Sequence, residues 1–186
     1  MVSPDPKNYW LETVSMPAGS PGDLPRQTDV VIVGAGFTGL SAARALARRG
    51  AGVTVLEANT IGWGASSRNG GMVLTGTKLP VETLPKRYGM DAARRMYTAS
   101  LDSIDFVERL VLEEDIDCDF SRCGHLEVAS KQSHFDGYAR TAELVKREFH
   151  HPLRIVSRSD LPAEIGSDIY YGGLLDERSA GLNPAR

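Results

Sequence analysis

The chain of 186 residues carries only two cysteines, Cys118 and Cys123. With His125 they form a Cys-x4-Cys-x-His pattern. It lacks the fourth ligand that a structural zinc requires and matches no usual zinc spacing. Two reduced thiols and no metal are the expectation. No stretch approaches the ~18 apolar residues of a membrane-spanning helix. The opening MVSPDPKNYWLETV has no basic segment followed by an apolar run, so a secretory signal is not expected. Basic residues are not in excess: 21 Lys and Arg stand against 24 Asp and Glu, a formal net charge of −3. That balance offers no footprint for nucleic acid, and no Lys/Arg block faces an anionic membrane. No internal repeat and no low-complexity tract is present. A cytoplasmic protein is the default expectation.

What is present suffices for a folded core: 41% of residues are apolar and 24% are charged. By length alone, one domain or one and a fraction is expected. Residues 1–27 are rich in Pro and Gly and read as an extended arm, which the apolar cluster Tyr9-Trp10-Leu11 either pins to the body or leaves exposed. Val30 to Val33 is a continuous β-branched run, the pattern of a strand buried on both faces. Leu40 to Arg49 reads as a helix, with Ala43, Leu46 and Ala47 on one face and Arg44, Arg48 and Arg49 mostly on the other, and Gly50 placed to end it. Val53 to Leu56 is read as a second buried strand, closed by Glu57. Strand, tight turn, helix and parallel strand make a βαβ unit. Beyond Gly71 the texture changes. Helices are expected over Asp91–Glu114 and Phe135–Phe149, and strands over Gly124–Ala129 and Ile169–Leu175, the latter followed by a turn at Asp176–Ser179. Asn183-Pro184 resembles a helix start, with Asn183 as the N-cap.

The chemistry concentrates in the turn Gly34-Ala35-Gly36-Phe37-Thr38-Gly39. Gly34 permits the sharp bend, Gly36 admits a diphosphate to the backbone, and Gly39 lets the helix pack closely on the strand. The N-terminus of the helix offers unpaired N–H groups and partial positive charge to phosphates, and the Thr38 hydroxyl adds a donor. Glu57 closes the second strand, where its carboxylate suits the hydroxyls of an adenosine ribose and repels a 2′-phosphate, which disfavours NADP. A lone G-x-G-x-x-G says little; strand, helix, second strand and acid in register say much more. A second loop follows, Gly62-Trp63-Gly64-Ala65-Ser66-Ser67-Arg68-Asn69-Gly70-Gly71. Its small residues permit close backbone approach, and Ser66, Ser67, Arg68 and Asn69 bring donors suited to a pyrophosphate or a flavin edge. The bland alternative is a mobile surface loop.

These residues resemble the N-terminus of FAD-dependent amine and amino-acid oxidoreductases, the D-amino-acid oxidase-like superfamily. Tyr9-Trp10-Leu11 and the second loop look most like the γ-glutamylputrescine oxidase-type branch. Motif agreement covers about residues 28–72; beyond that only the layout is similar, as at Gly124-His125-Leu126-Glu127-Val128. The resemblance implies an α/β fold: a Rossmann-like FAD-binding βαβ unit followed by part of an inserted α+β substrate domain. The implied division is an arm over 1–27, the first part of the FAD-binding domain over 28–80, a partial substrate domain over 81–180, and a return to the FAD-binding domain at 181–186. The implied cofactor is FAD. Its contacts would be Gly34, Gly36, Phe37, Thr38 and Gly39 at the phosphate turn, Glu57 and Ala58 at the ribose, and Gly64, Ala65, Ser66, Arg68, Asn69, Gly70, Gly71 and Met72 running toward the isoalloxazine. Arg68 takes the place where some relatives bear a His bonded covalently to the flavin, so no such bond is expected.

The implied reaction is oxidation of the C–N bond of an amine or amino acid by hydride transfer to flavin N5, with oxygen or an electron carrier as final acceptor. Family members are longer, which makes this chain read as an N-terminal fragment that is not expected to catalyse alone. No catalytic acid or base is named. Two alternatives stay open: a non-catalytic nucleotide-binding subunit or half of a split enzyme, and an NAD-dependent dehydrogenase. His125, on a predicted strand, could face a pocket, but reads first as a hydrogen-bonded structural histidine. His150-His151 reads as a favourable charge pair at a helix C-terminus. Glu113-Glu114-Asp115 reads as a solvated face; Tyr170-Tyr171 could line a site but reads rather as core.

Overall fold

A computed structural model describes residues 7–17 and 24–186. The chain forms two units. One comprises residues 1–71 and 183–186; the other comprises residues 72–182.

In the first unit, α1 (Tyr9–Glu12) is one turn of helix inside the segment read as an extended arm. Asn8 caps it: the side-chain oxygen accepts from the N–H groups of Trp10 and Leu11. The βαβ unit follows as β1 (Val30–Val33), α2 (Phe37–Ala47) and β2 (Val53–Leu56). The strands pair in parallel with Val30 opposite Val53 and Val33 opposite Leu56. Helix α2 starts three residues earlier than the apolar periodicity indicated, immediately after Gly36. Gly39 therefore lies inside the helix, and a Cβ there would run into the carbonyl oxygen of Gly34. Gly34 has φ +99°, a conformation that favours glycine. These two glycines let the chain leave a strand and enter a helix within three residues.

The strand β1 is not buried on both faces. Its burial alternates, with Val31 54% and Val33 85% exposed. The β-branched run satisfies strand propensity, but the sheet here has two strands and α2 packs on one side of it only.

The second unit combines helices with antiparallel sheet. Strands β3 (Met72–Val73) and β7 (Ala180–Gly181) form a two-residue ribbon. Helices α3 (Thr83–Tyr88) and α4 (Met90–Glu113) are separated by Gly89, and α5 spans Gln132–Phe149. The main sheet has the order β4-β6-β5, from β4 (His125–Val128), β5 (Arg154–Ser157) and β6 (Gly172–Asp176). All five residues of the central β6 are buried. Successive side chains of a strand point to opposite faces. Accordingly, Leu174 packs with Ala129 and with Tyr138 of α5, while Leu175 packs with Val156 and with Leu161 of a 3₁₀ turn. A third cluster joins the helices through Leu84, Ala93, Tyr97, Val145 and Phe149. Tyr170 and Tyr171 pack against these cores, as expected. Cys118 is buried and Cys123 exposed, and neither is in a disulfide. Among the described residues no helix is long and apolar enough to cross a membrane.

Candidate functional site

In the first unit the glycine turn, the acid that closes β2 and the second loop are hydrogen-bonded to one another. Ala35 sits at the hub, buried to 2% exposure. Its N–H donates to Glu57 Oε2 at 2.7 Å, and its carbonyl accepts from the Gly62 N–H at 2.9 Å. The other carboxylate oxygen of Glu57 accepts from the Asn59 N–H at 3.0 Å. These amides, Ala35 first and Asn59 next, hold the Glu57 carboxyl below the usual carboxylate range. Glu57 is thus an exposed, ionised acid of fixed orientation. A carboxylate has about four lone-pair positions, so Glu57 keeps capacity to accept a further hydroxyl donor.

Ser66 meets the turn directly. The Phe37 N–H, the first of α2, donates to Ser66 Oγ at 2.9 Å. A Cβ on Gly36 would lie 2.9 Å from that same oxygen, so the glycine keeps room at the mouth of the helix. The next amides of the first turn, those of Thr38 and Gly39, have no acceptor within the helix. Together with the Ser66 hydroxyl they form a donor set suited to an anion such as a diphosphate. Thr38 is exposed in the same turn, and Ala58 follows Glu57 on the surface.

The rest of the second loop is braced from within. Ser67, 1% exposed, donates to the Gly62 carbonyl at 2.6 Å. Asn69 brackets its own loop: Nδ2 donates to the carbonyls of Ala65 and Ser66, and Oδ1 accepts from the Gly71 N–H. Arg68 donates through Nε to the Trp63 carbonyl and lies 4.7 Å over the Trp63 ring. Gly64 and Ala65 accept from the N–H groups of Ser67 and Arg68 at 3.3 and 3.2 Å. Gly70 is exposed and Gly71 buried. Met72 belongs to the second unit, where it opens β3.

The second unit holds a cavity of about 460 Å³ whose walls include Tyr97, Glu127, Tyr138 and Asp176. Its polar wall was not foreseen from the sequence. Asp176, the last residue of β6, accepts from His151 Nε2 at 3.0 Å, from the Thr75 hydroxyl, and from the Arg178 N–H at 2.9 Å. Burial acts to raise its carboxyl, but these donors outweigh it and hold the group below the usual range. Burial likewise pushes the Tyr97 hydroxyl up to about 12, with the Asp176 charge adding to it. His151 is therefore buried and bonded to Asp176 within the second unit, where a pair of charges at the helix end was expected. Only His150 remains at the terminus of α5, as its left-handed cap with φ 55°. No local pattern betrays this array, because Thr75, His151 and Asp176 are far apart in sequence. His125 also lines the cavity.

The DAO family profile, described as FAD dependent oxidoreductase, matches residues 29–186. The chain belongs to this family. It is 35% identical over 156 residues to the gamma-glutamylputrescine oxidoreductase of Escherichia coli, a match covering 84% of this chain and 36% of that protein. It is 34% identical over 157 residues to the probable oxidoreductase OrdL of Haemophilus influenzae, with the same two coverages. The chain thus spans about 36% of the length of the curated relatives it matches. Among solved structures, the L-amino acid deaminase of Proteus vulgaris is similar with a TM-score of 0.70 and 22% identity, over 92% of this chain and 38% of that one. Glycine oxidase from Geobacillus kaustophilus follows at 0.59 and 21%, over 85% and 41%. These structural likenesses show a shared fold. FAD is the cofactor of the family, as the motifs implied.

Proposed function

We propose that this chain is the cofactor-holding portion of an FAD-dependent oxidoreductase acting on the C–N bond of an amine or amino acid. The observation that carries the reading is the convergence on Ala35. Ala35 joins the acid at the end of β2 to the 62–71 loop, and the Phe37 N–H that opens α2 bonds Ser66 of that same loop. The N–H groups of the first turn of α2 and the Ser66 hydroxyl would hold the diphosphate, and Glu57 would accept from the ribose. The small residues from Gly64 to Gly71 would let the backbone run past the cofactor, with Met72 beyond them. Arg68, engaged with Trp63, would shape that loop. When bound, FAD would supply the two-electron acceptor, taking a hydride from the carbon that bears the amine. The E. coli relative, named for γ-glutamylputrescine, supports an amine substrate. Oxygen or an electron carrier would complete the cycle.

An absorption and fluorescence titration of the full chain tests the cofactor reading. The expected result is saturable uptake of one FAD per chain with perturbed flavin bands, and weaker binding of NAD. NAD binding tighter than FAD, or no uptake of FAD, would overturn it.

A further inference from the structure

The glycine-rich loop 62–71 is braced by residues from an unexpected place. Trp10 Nε1 donates to the Asn69 carbonyl at 2.7 Å. Asn8 Nδ2 donates to the buried Ser67 Oγ at 2.7 Å, the same hydroxyl that donates to the Gly62 carbonyl. Both contacts span 59 positions of sequence. The short helix that carries them is itself fastened. Asn8 Oδ1 caps its N-terminus, the Thr13 hydroxyl donates to the Trp10 carbonyl at 2.7 Å, and the buried Asn183 donates from Nδ2 to Thr13 Oγ1 at 2.8 Å. A four-residue helix has little stability of its own. Its order therefore depends on these tertiary bonds, and the bonds act in both directions. The braced loop carries Ser66, whose hydroxyl lies on the first N–H of α2.

From this arrangement we infer that the α1 segment is part of the cofactor site without touching the cofactor: Asn8 and Trp10 are positioning residues that preorganise the 62–71 loop for binding. The inference rests on the flavin reading given above. A loop of glycine, alanine and serine loses much conformational freedom when it is ordered. If the protein orders it beforehand, the ligand does not bear that cost, and affinity rises without any new contact. The direction of each bond matters. Trp10 and Asn8 donate to a backbone carbonyl and to a side-chain oxygen inside the loop, leaving the Ser66 hydroxyl and the α2 amides facing the turn.

The test uses the full chain with Trp10→Phe and Asn8→Ser. The first keeps an aromatic ring and removes only the Nε1 donor. The second keeps an N-cap oxygen and removes the amide that reaches Ser67. Two readouts are taken. Amide hydrogen exchange without added FAD reports the order of the loop, and flavin fluorescence titration reports affinity. Each variant is expected to speed exchange at residues 62–71 while leaving α5 and β6 unchanged, and to weaken FAD binding about two- to tenfold, the range of one lost hydrogen bond. The double variant is expected to lose more than either. Loop exchange equal to wild type overturns the inference, and so does unchanged FAD affinity in variants of a wild type that binds FAD. A wild-type chain that takes up no FAD overturns the flavin reading instead, and the exchange result still decides whether the α1 segment orders the loop.

Discussion

Glu57 illustrates how much a single side chain does in this fold. Its two carboxylate oxygens join the ends of both strands through Ala35 and Asn59, and they stay ionised because those amides favour the charged form. Glu57→Gln places an N–H₂ where one of two N–H donors already points. FAD affinity should fall about 10- to 100-fold, the scale of lost hydrogen bonds to a charged acceptor, as read by fluorescence titration. The pH dependence has a definite sign. Because the carboxyl lies below its ordinary value, wild-type affinity should hold from neutral pH down past the usual carboxylate range and fail only as the group protonates. The Gln variant should lack that acid limb.

Asp176 makes a similar argument about stability. A carboxyl whose folded pKa lies below its unfolded value, about 4, adds stability that is fully present above that value and lost as pH falls through the folded pKa. The His151 bond is one cause of the depression. His151→Leu keeps bulk and removes the donor. It should cost about 2 kcal/mol near neutral pH and shrink the loss of stability on acidification, both measurable by urea unfolding at a series of pH values. The role of His151 was not legible in the sequence. A His-His pair after a helix reads as a favourable charge pair at the helix C-terminus, and only the tertiary fold brings Thr75 and Asp176 to His151.

Among the elements, those whose own residues determine them were the legible ones. The strands Val30–Val33 and Val53–Leu56 fall where the β-branched runs put them, and α4 and α5 fall close to the 3.6-residue periodicity. Helix α2 begins at Phe37, ahead of the Leu40 start that the apolar periodicity indicates. Gly39 is helical because packing against Gly34 requires a residue without Cβ, and that demand outweighs propensity. Gly39→Ala should therefore destabilise the first unit by about 1–3 kcal/mol through overpacking, although Ala is the better helix former. Hydrogen exchange across β1, α2 and β2 would show it; unchanged protection there would contradict the packing argument. The elements not foreseen are α1, α3, β5, and the ribbon β3–β7. They run from two to six residues, too short for a period to register. Helix α1 lies among prolines and glycines and is held by bonds to the 62–71 loop, which no local pattern announces.

Across the whole molecule, apolar surface is distributed unevenly. In the second unit, β6 is buried throughout between α5 and the 3₁₀ turn. In the first unit, Val31 and Val33 of the parallel β1–β2 pair are largely exposed, as is Phe37 at 53%. Exposed apolar patches on β-strands bind hydrophobic dyes and promote association. The chain should bind such a dye, and the double variant Val31→Lys, Val33→Lys should bind less of it and associate less in sedimentation experiments. Equal dye binding would show that this face is covered in solution. The family and the α/β fold were legible from about 45 residues of motif, because diphosphate recognition demands glycines and an acid at set places. The cavity wall of the second unit was not, since it is assembled from distant segments.

The measurement that bears most directly on the central claim is an experimental structure of the full chain with FAD bound. The account predicts the diphosphate against the N–H groups that open α2 and against Ser66, with the ribose on Glu57. A diphosphate lodged elsewhere, with Glu57 and Ser66 still bonded only to Ala35, Asn59 and Phe37, would contradict it.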